Sequence, residues 1–397
     1  MRVLSIVGAR PQFIKMAALA RALERHNGLG RDPIESIIVH TGQHYDPEMS
    51  DIFFDELEIP PPAFNLGVGS GPHGRQTAHM LEKLEPVLLQ TRPDMVLIYG
   101  DTNSSVAGAL AAVKLHMPVA HVEAGVRSFN RRMPEEINRV VADHASDLLL
   151  APTRTAMENL EREGLSRGAV LTGDVMYDAV AVHRHVAARR SSILGILGLA
   201  PGAYALATIH RAENTDDSER LEGILTAFND IAEDGLPLVL PLHPRTAQAA
   251  RATLPRWSPA PRLHVIPPVG YLDMLCLVGH ARLILTDSGG LQKEAFFLGC
   301  PCVTLREETE WTETVEAGGN IVAGAAPAAI RAAVRTWEHR LVGGVPDFAA
   351  AASTSFGDGR AADRIVQALL AATHGAAQPS PASGETAAIK TAGTAKC

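Results

Sequence analysis

The feature that most constrains this chain is a repeated unit: a short, predominantly apolar, β-prone run that stops at polar residues and is followed by a helical segment. Residues 3–7 stop at Gly8-Ala9-Arg10-Pro11, and residues 12–26 then carry apolar side chains at helical spacing. Residues 34–40 stop at Thr41-Gly42-Gln43-His44-Tyr45-Asp46. After a helix expected at about 74–90, residues 95–99 stop at Gly100-Asp101-Thr102-Asn103, and 104–115 reads as a helix rich in small residues. Residues 118–122 stop at Glu123; further strands at 147–150 and 169–172 and a helix at 176–190 close the series. Nearly continuous apolar runs, with no alternation of polar residues, belong to strands buried on both faces. The pattern therefore predicts a parallel sheet with helices on each side.

After Pro201-Gly202 the series begins again. Residues 204–208 end at Ile209-His210-Arg211-Ala212-Glu213-Asn214, and 236–240 at Pro241-Leu242-His243-Pro244-Arg245. Residues 263–266 end at Pro267-Pro268, 283–285 at Thr286-Asp287-Ser288-Gly289-Gly290, and 301–305 at Arg306-Glu307-Glu308-Thr309-Glu310. A chain of 397 residues exceeds one ordinary core. We expect two doubly wound domains, 1–175 and 176–355, with a final helix at about 356–374 packing back on the first. Residues 375–397, mostly Ala, Pro, Ser, Thr and Gly with little that could be buried, read as a disordered tail. Ligands of such sheets sit beyond the carboxyl ends of the strands, so two facing domains bring both sets of loops into one cleft.

The densest chemistry lies in residues 118–144. An apolar strand ends at the acid Glu123, a turn carries Arg131 and Arg132, and Met133-Pro134-Glu135-Glu136 reads as a helix start with acids at the positive dipole end. A helix cap does not explain an acid at the end of an apolar strand. The Thr286–Glu294 segment reads as strand, small turn and helix start. Its two glycines let backbone N–H groups approach a phosphate, and Glu294, one turn in, can accept from ribose hydroxyls. Arg10 and, one turn later, Lys15 offer a second anion contact.

Other classes are disfavoured. Lys and Arg number 36 against 44 Asp and Glu, a net charge of −8, which argues against a nucleic-acid or anionic-membrane surface and leaves an anionic small ligand to local charge. The first apolar run is too short for a signal peptide or membrane span. Four cysteines, Cys276, Cys300, Cys302 and Cys397, match no zinc spacing, and their scarcity points to a reducing cytoplasm. Neither a GxGxxG fingerprint, a P-loop nor an HExxH motif is present, so no nicotinamide, other cofactor or metal is expected.

GARPQFIK (8–15), YGDTNSSVAGALAA (99–112), HVEAGVRS (121–128), MPEEINR (133–139), IHRAEN (209–214), TDSGGLQKEA (286–295) and REETEWTETVEAG (306–318) occur in this order. Together they resemble the non-hydrolysing UDP-N-acetylglucosamine 2-epimerase family over about residues 1–370. The resemblance implies a GT-B architecture, two Rossmann-like domains with the nucleotide sugar between them, in a cytoplasmic homodimer. It implies anti elimination of UDP to a 2-acetamidoglucal and re-addition with the proton on the other face of C2, supplying a UDP-ManNAc-type sugar for cell-surface polysaccharide. By correspondence Asp101, Glu123 and Glu135 are the catalytic carboxylates, and His210 is the contact at the leaving phosphate. Arg10, Lys15, Arg139, Ser288, Gly289, Gly290 and Glu294 match positions that hold UDP, and Gln43, Glu136, Arg211 and His243 match those of an activating second UDP-sugar.

The chain departs from the family's common form at Trp311 and Ala212, where basic residues are usual, and at Met274, where an aromatic often covers the uracil. The EETEW form, GARPQFIK and SFNRRMPEE resemble the branch acting on modified sugars such as UDP-2,3-diacetamido-glucuronic acid. A hydrolysing 2-epimerase and a GT-B glycosyltransferase remain alternatives.

Overall fold

The computed structural model describes residues 1–43, 54–344 and 347–376, the last three without side-chain detail. Residues 44–46 of the second polar run and 377–397 of the expected tail lie outside the described residues. Seven strands form the first sheet: β1 (Arg2–Val7), β2 (Glu35–His40), β3 (Phe64–Asn65), β4 (Met95–Tyr99), β5 (Val119–Val122), β6 (Leu148–Ala151) and β7 (Ala169–Leu171). Their spatial order is β3-β2-β1-β4-β5-β6-β7. Six more, β8 (Ala205–Thr208), β9 (Leu238–Pro241), β10 (Leu263–Ile266), β11 (Leu283–Thr286), β12 (Cys302–Thr304) and β13 (Asn320–Val322), form a second sheet in the order β10-β9-β8-β11-β12-β13. The pairs are parallel in both sheets. Each order reverses beside its first strand, between β1 and β4 and between β8 and β11, and crevices open at such points.

Single strands feed two cores. Val3 and Val7 of β1, with Leu97 and Tyr99 of β4, belong to one apolar cluster, while Leu4, Ile6, Val96 and Ile98 from the same strands belong to another. Both faces are therefore covered, which is why these runs are apolar at nearly every position, with the buried Ser5 hydroxyl paired to that of Tyr99 at 3.0 Å; each apolar side chain contributes about 1.5–3 kcal/mol on burial. The small residues of helix Asn103–Lys114 have a packing cause. A Cβ added at Gly108 would lie 2.9 Å from Ile6 Cδ1, so the helix lies close on the sheet and its N-terminus meets the end of β4. The edge strands β3 and β13 have only two and three residues, too few to leave a periodic signature.

The chain crosses between the halves twice. Helix Val175–Arg190 leads from β7 toward the second sheet. On the return, Asp174 N–H donates to Phe356 O at 2.8 Å, and Asp178 accepts from the N–H groups of Ala361 and Ala362, at 3.1 and 2.8 Å, at the start of helix Ala361–Ala376. That helix packs against helix Arg10–Gly28 and helix Val175–Arg190. No helix among the described residues is long and apolar enough to cross a membrane.

Candidate active site

The loops beyond β1 and β4 are stitched by one amide. Gln12 Oε1 accepts from the N–H of Gly8 at 2.8 Å and of Ala9 at 3.1 Å. Its Nε2 donates to Tyr99 O at 2.9 Å and Ser105 Oγ at 3.0 Å. A side chain at Gly8 would overlap Thr41 Oγ1 and Ser104 Oγ, so glycine is required by close approach.

Beyond β5 the backbone turns through the left-handed region at Glu123 (φ 74°) and Gly125 (φ 81°). For a residue with a Cβ this conformation costs about 1–2 kcal/mol, offset by the N–H groups of Glu123 and Ala124 donating to Leu150 O at 3.0 and 3.2 Å. The turn aims Glu123 into a buried cluster. Lys15 Nζ donates to its Oε1 at 2.6 Å and Lys293 Nζ to its Oε2 at 2.9 Å, while Lys293 also reaches Asp174 Oδ2 at 2.6 Å. The Lys293 ammonium lies 3.7 Å from the centroid of the Trp311 ring. Burial works against ionisation of Glu123, yet the two ammonium groups outweigh it and hold the carboxyl at about 2. Glu123 is thus a fixed anion gripped from both sheets.

Asp101 and Glu135 are held by arginines and stay partly open, with 24% and 31% of their side chains exposed. Arg139 donates to Asp101 Oδ2 at 2.5 Å, to Glu136 Oε2 at 3.1 Å and to Glu310 Oε1 at 3.4 Å. Arg211 Nη1 donates to Glu135 Oε1 at 2.6 Å. Arg306, fully buried, donates to Glu310 Oε2 at 2.8 Å and Glu213 Oε1 at 3.0 Å. Burial pushes the Glu310 carboxyl up, but Arg139, Arg306 and Arg211 hold it far below the usual range. A Cβ on Gly289 would strike Glu310 Oε1, so this carboxylate lies against the start of helix Gly289–Phe297.

Ser288 caps that helix, its Oγ accepting from Leu291 N–H at 3.4 Å. The preceding Asp287 is fully buried and accepts from the N–H groups of His210 and Arg211, both at 3.0 Å, and from Asn214 Nδ2 at 3.1 Å. His210 Nδ1 stands 3.2 Å from Asp287 Oδ1, and the His210 side chain is 41% exposed. Burial opposes ionisation of Asp287, but His210 and the N–H donors hold it at about 2. Glu294 goes the other way: burial lifts it to about 7 against the pull of Arg10 and Lys293. Arg10 is itself lowered by burial, opposed by Glu294, Tyr271 and Glu56, so it faces the second half of the chain.

The four residues assigned by resemblance to an activator each have a local partner. Gln43 Oε1 accepts from Ser104 Oγ at 2.8 Å, and Glu136 accepts from Ser128 and Phe129 N–H groups, both at 2.9 Å, as an internal brace of the loop after β5. Arg211 serves Glu135, and His243 Nδ1 accepts from Arg245 N–H at 3.2 Å at the head of its own helix. His243 is held below its ordinary range by burial and by His210, Arg245 and Arg10. Met274 is buried in the core of the second sheet with Ile284 and Leu291.

Sequence reasoning missed Lys293, Asp174, Arg306 and Glu310 as members of the site. Lys293 and Glu310 stand inside quoted motifs, but spacing along the chain does not reveal that a lysine 170 positions away closes on Glu123. Among the described residues no group of His, Cys, Asp and Glu is arranged to hold a metal.

Known proteins resemble this chain in sequence and fold. Residues 27–370 match the family described as UDP-N-acetylglucosamine 2-epimerase. The chain is 48% identical, over 93% of its length and 99% of the relative's, to a UDP-N-acetylglucosamine 2-epimerase homolog of Methanococcus maripaludis. It is 50% identical, over 85% of its length and 92% of the relative's, to the UDP-2,3-diacetamido-2,3-dideoxy-D-glucuronate 2-epimerase of Pseudomonas aeruginosa. Its fold superposes with a TM-score of 0.85, at 41% identity and over 94% of this chain and 100% of the other, on the Methanocaldococcus jannaschii UDP-GlcNAc 2-epimerase crystallised with UDP-GlcNAc and UDP. With two parallel sheets in the GT-B arrangement and matches of this length, the chain belongs to the UDP-N-acetylglucosamine 2-epimerase family.

Proposed function

We propose that this isomerase inverts C2 of a UDP-N-acetylhexosamine without net hydrolysis, and that residues 1–175 and 176–355 act as two domains closing on the ligand. The observation that carries the reading is the set of three carboxylates, each paired with a cation, where the loops of the two sheets meet: Glu123 with Lys15 and Lys293, Asp101 with Arg139, and Glu135 with Arg211. The C2 proton of a hexose acetal has no adjacent carbonyl to stabilise a carbanion, so the C1–O bond must break as the proton leaves. UDP departs with the bonding pair, a C1=C2 double bond forms, and re-addition of UDP with protonation of the opposite face gives the epimer.

Each group has a physical part in that path. Glu123, held as an anion, stabilises positive charge at C1 rather than shuttling a proton. Proton transfer at C2 falls to the more open Asp101 and Glu135. His210, braced by Asp287, together with Arg10 and the Ser288-Gly289-Gly290 turn, receives the leaving diphosphate. Glu294 takes the ribose hydroxyls, and Lys15 and Arg139 complete the charge around the leaving group through the carboxylates they hold. The three described cysteines are unpaired and buried, which supports the expectation of a cytoplasmic enzyme, and we take its assembly to be a homodimer.

A second substrate, UDP-2,3-diacetamido-glucuronic acid, is favoured by one observation. Arg131 and Arg132 are exposed on the loop between Asn130, which reaches Glu308 at 2.6 Å, and Met133, beside Arg306, and neither has a carboxylate partner among the described residues. Two uncommitted cations there suit a sugar carboxylate. Proton NMR in D2O with each substrate tests the reading: deuterium at C2 together with the 2-epimeric UDP-sugar is expected. Accumulation of free UDP and free sugar would instead indicate a hydrolysing enzyme. Glu123→Gln, which keeps the shape and removes the charge, should lower turnover about 10²-fold or more, and near-normal turnover would remove Glu123 from the mechanism.

A further inference from the structure

Behind the three carboxylates lies a fully buried histidine that the mechanism above does not use. His121, in the middle of the β5 end, is 0% exposed, as is Asp143 near the end of helix Pro134–Ala145. His121 Nε2 lies in hydrogen-bond contact with Gly100 O at 2.8 Å, and Nδ1 with Asp143 Oδ1 at 2.6 Å. The second oxygen of Asp143 accepts from Gly125 N–H at 3.0 Å and from Arg127 at 2.7 Å. Arg127 is locked in turn by two parallel bonds to Glu163, both at 2.8 Å.

These contacts converge on the catalytic framework. Gly100 precedes Asp101 and has a left-handed φ of 59°. His121 itself precedes Glu123 by two residues, and Gly125, fixed by Asp143, closes the left-handed turn that aims Glu123. Asp143 belongs to the helix that begins with Pro134-Glu135, so the pair also ties that helix to β5. A single imidazole–carboxylate pair thus joins the three backbone segments that carry Asp101, Glu123 and Glu135.

We propose that His121, with Asp143, is the positioning residue of this site: it sets the distances among the three carboxylates without touching substrate. The inference rests on the assignment of those carboxylates given above. Asparagine and glutamine separate its two bonds. His121→Asn keeps a donor where Nδ1 faces Asp143 and loses the bond to Gly100, whereas His121→Gln keeps a donor for Gly100 and loses Asp143. Displacing catalytic groups by about 1 Å costs about 10²-fold in rate. We therefore expect His121→Asn and His121→Gln each to lower kcat by about 10- to 100-fold while KM and the calorimetric Kd for UDP stay within about threefold.

Rates are to be counted per UDP-binding site, which removes unfolded protein from the comparison. A lower Tm with unchanged kcat per site would show a purely structural role and overturn the proposal. Hydrogen exchange of the unmodified protein gives a second readout that needs no variant. The Gly125 amide should be protected to the level of the β5 interior, and rapid exchange there would refute the clamp even if both variants failed to fold. Asp101→Asn and Glu123→Gln, measured beside them, separate the two ideas: full activity in those variants sinks the carboxylate assignment, whereas full activity in the His121 variants alone sinks only the positioning role.

Discussion

At the scale of single residues, the informative contrast is between two carboxyls driven in opposite directions by the same burial. Glu123 has two ammonium partners and stays near 2, while Glu294, facing Arg10 with Lys293 committed elsewhere, is lifted to about 7. The neutral acid offers one acceptor oxygen and a donor, whereas the carboxylate accepts from both ribose hydroxyls and does so more strongly, so ribose binding favours loss of the proton. Binding of UDP-GlcNAc, whose diphosphate diester does not titrate in this range, should therefore tighten as pH rises from 6 to 8 and release a proton. Calorimetry in buffers of different ionisation enthalpy, on the Glu123→Gln background to prevent turnover, measures that release, and Glu294→Gln should abolish it. Proton uptake, or an affinity independent of pH, would contradict the assignment of Glu294 to the ribose. The sequence places Glu294 one turn into a helix beside a glycine turn, and so suggests a ribose partner. Its elevated pKa comes from burial, which outweighs the lowering by Arg10, Lys293 and Tyr271, and burial by segments distant along the chain is not legible from local residues.

At the scale of elements, the loop after β8 is shaped by a side chain from the loop after β11. Asp287 gathers the N–H groups of His210 and Arg211 and the amide of Asn214, so one carboxylate fixes the entire IHRAEN turn. Asp287→Asn replaces one acceptor oxygen by a donor that faces other donors. Leaving buried donors unpaired costs about 1–3 kcal/mol, and we expect a loss of that size in urea unfolding, with UDP affinity reduced as His210 loses its brace. A variant with wild-type stability and UDP affinity would show that the turn is held by other means. The sheet strands were readable because strands buried on both faces are apolar at nearly every position, and residues 95–99 and 283–285 are apolar throughout. The edge pieces Phe64–Asn65 and Asn320–Val322 carry no such constraint and were not foreseen. Polar residues at strand ends identified the loops of the site, but not which loop would reach across to which.

At the scale of the whole molecule, the two halves are held together through buried charge. Lys293, from the helix that follows β11 in the second sheet, bridges Glu123 of the first sheet and Asp174 at the chain crossing, whereas Lys15 pairs with Glu123 within the first half. Removing one partner of a buried ion pair costs about 3–5 kcal/mol because it strands the other charge. Lys293→Met and Lys15→Met should both lose stability of that order in urea unfolding at pH 7. Of the two, only Lys293→Met removes a link between the halves, leaving Arg211–Glu135, Arg139–Glu310 and Asn130–Glu308 in place, so it alone should increase the radius of gyration of the ligand-free protein in small-angle scattering. Equal scattering from the two variants would mean that the cleft is closed by other contacts. The pH dependence follows from the same pair. Glu123 has a folded value of about 2 against an ordinary 4.5, so its contribution is fully present above about 4.5 and is lost as pH falls toward 2. The unmodified protein should therefore lose stability through that window. Lys293→Met, in which the Glu123 carboxyl has only Lys15 to keep it ionised, should start from a lower plateau and show a shallower loss. A slope as steep as that of the unmodified protein would assign the acid sensitivity to other depressed carboxyls, such as Asp287.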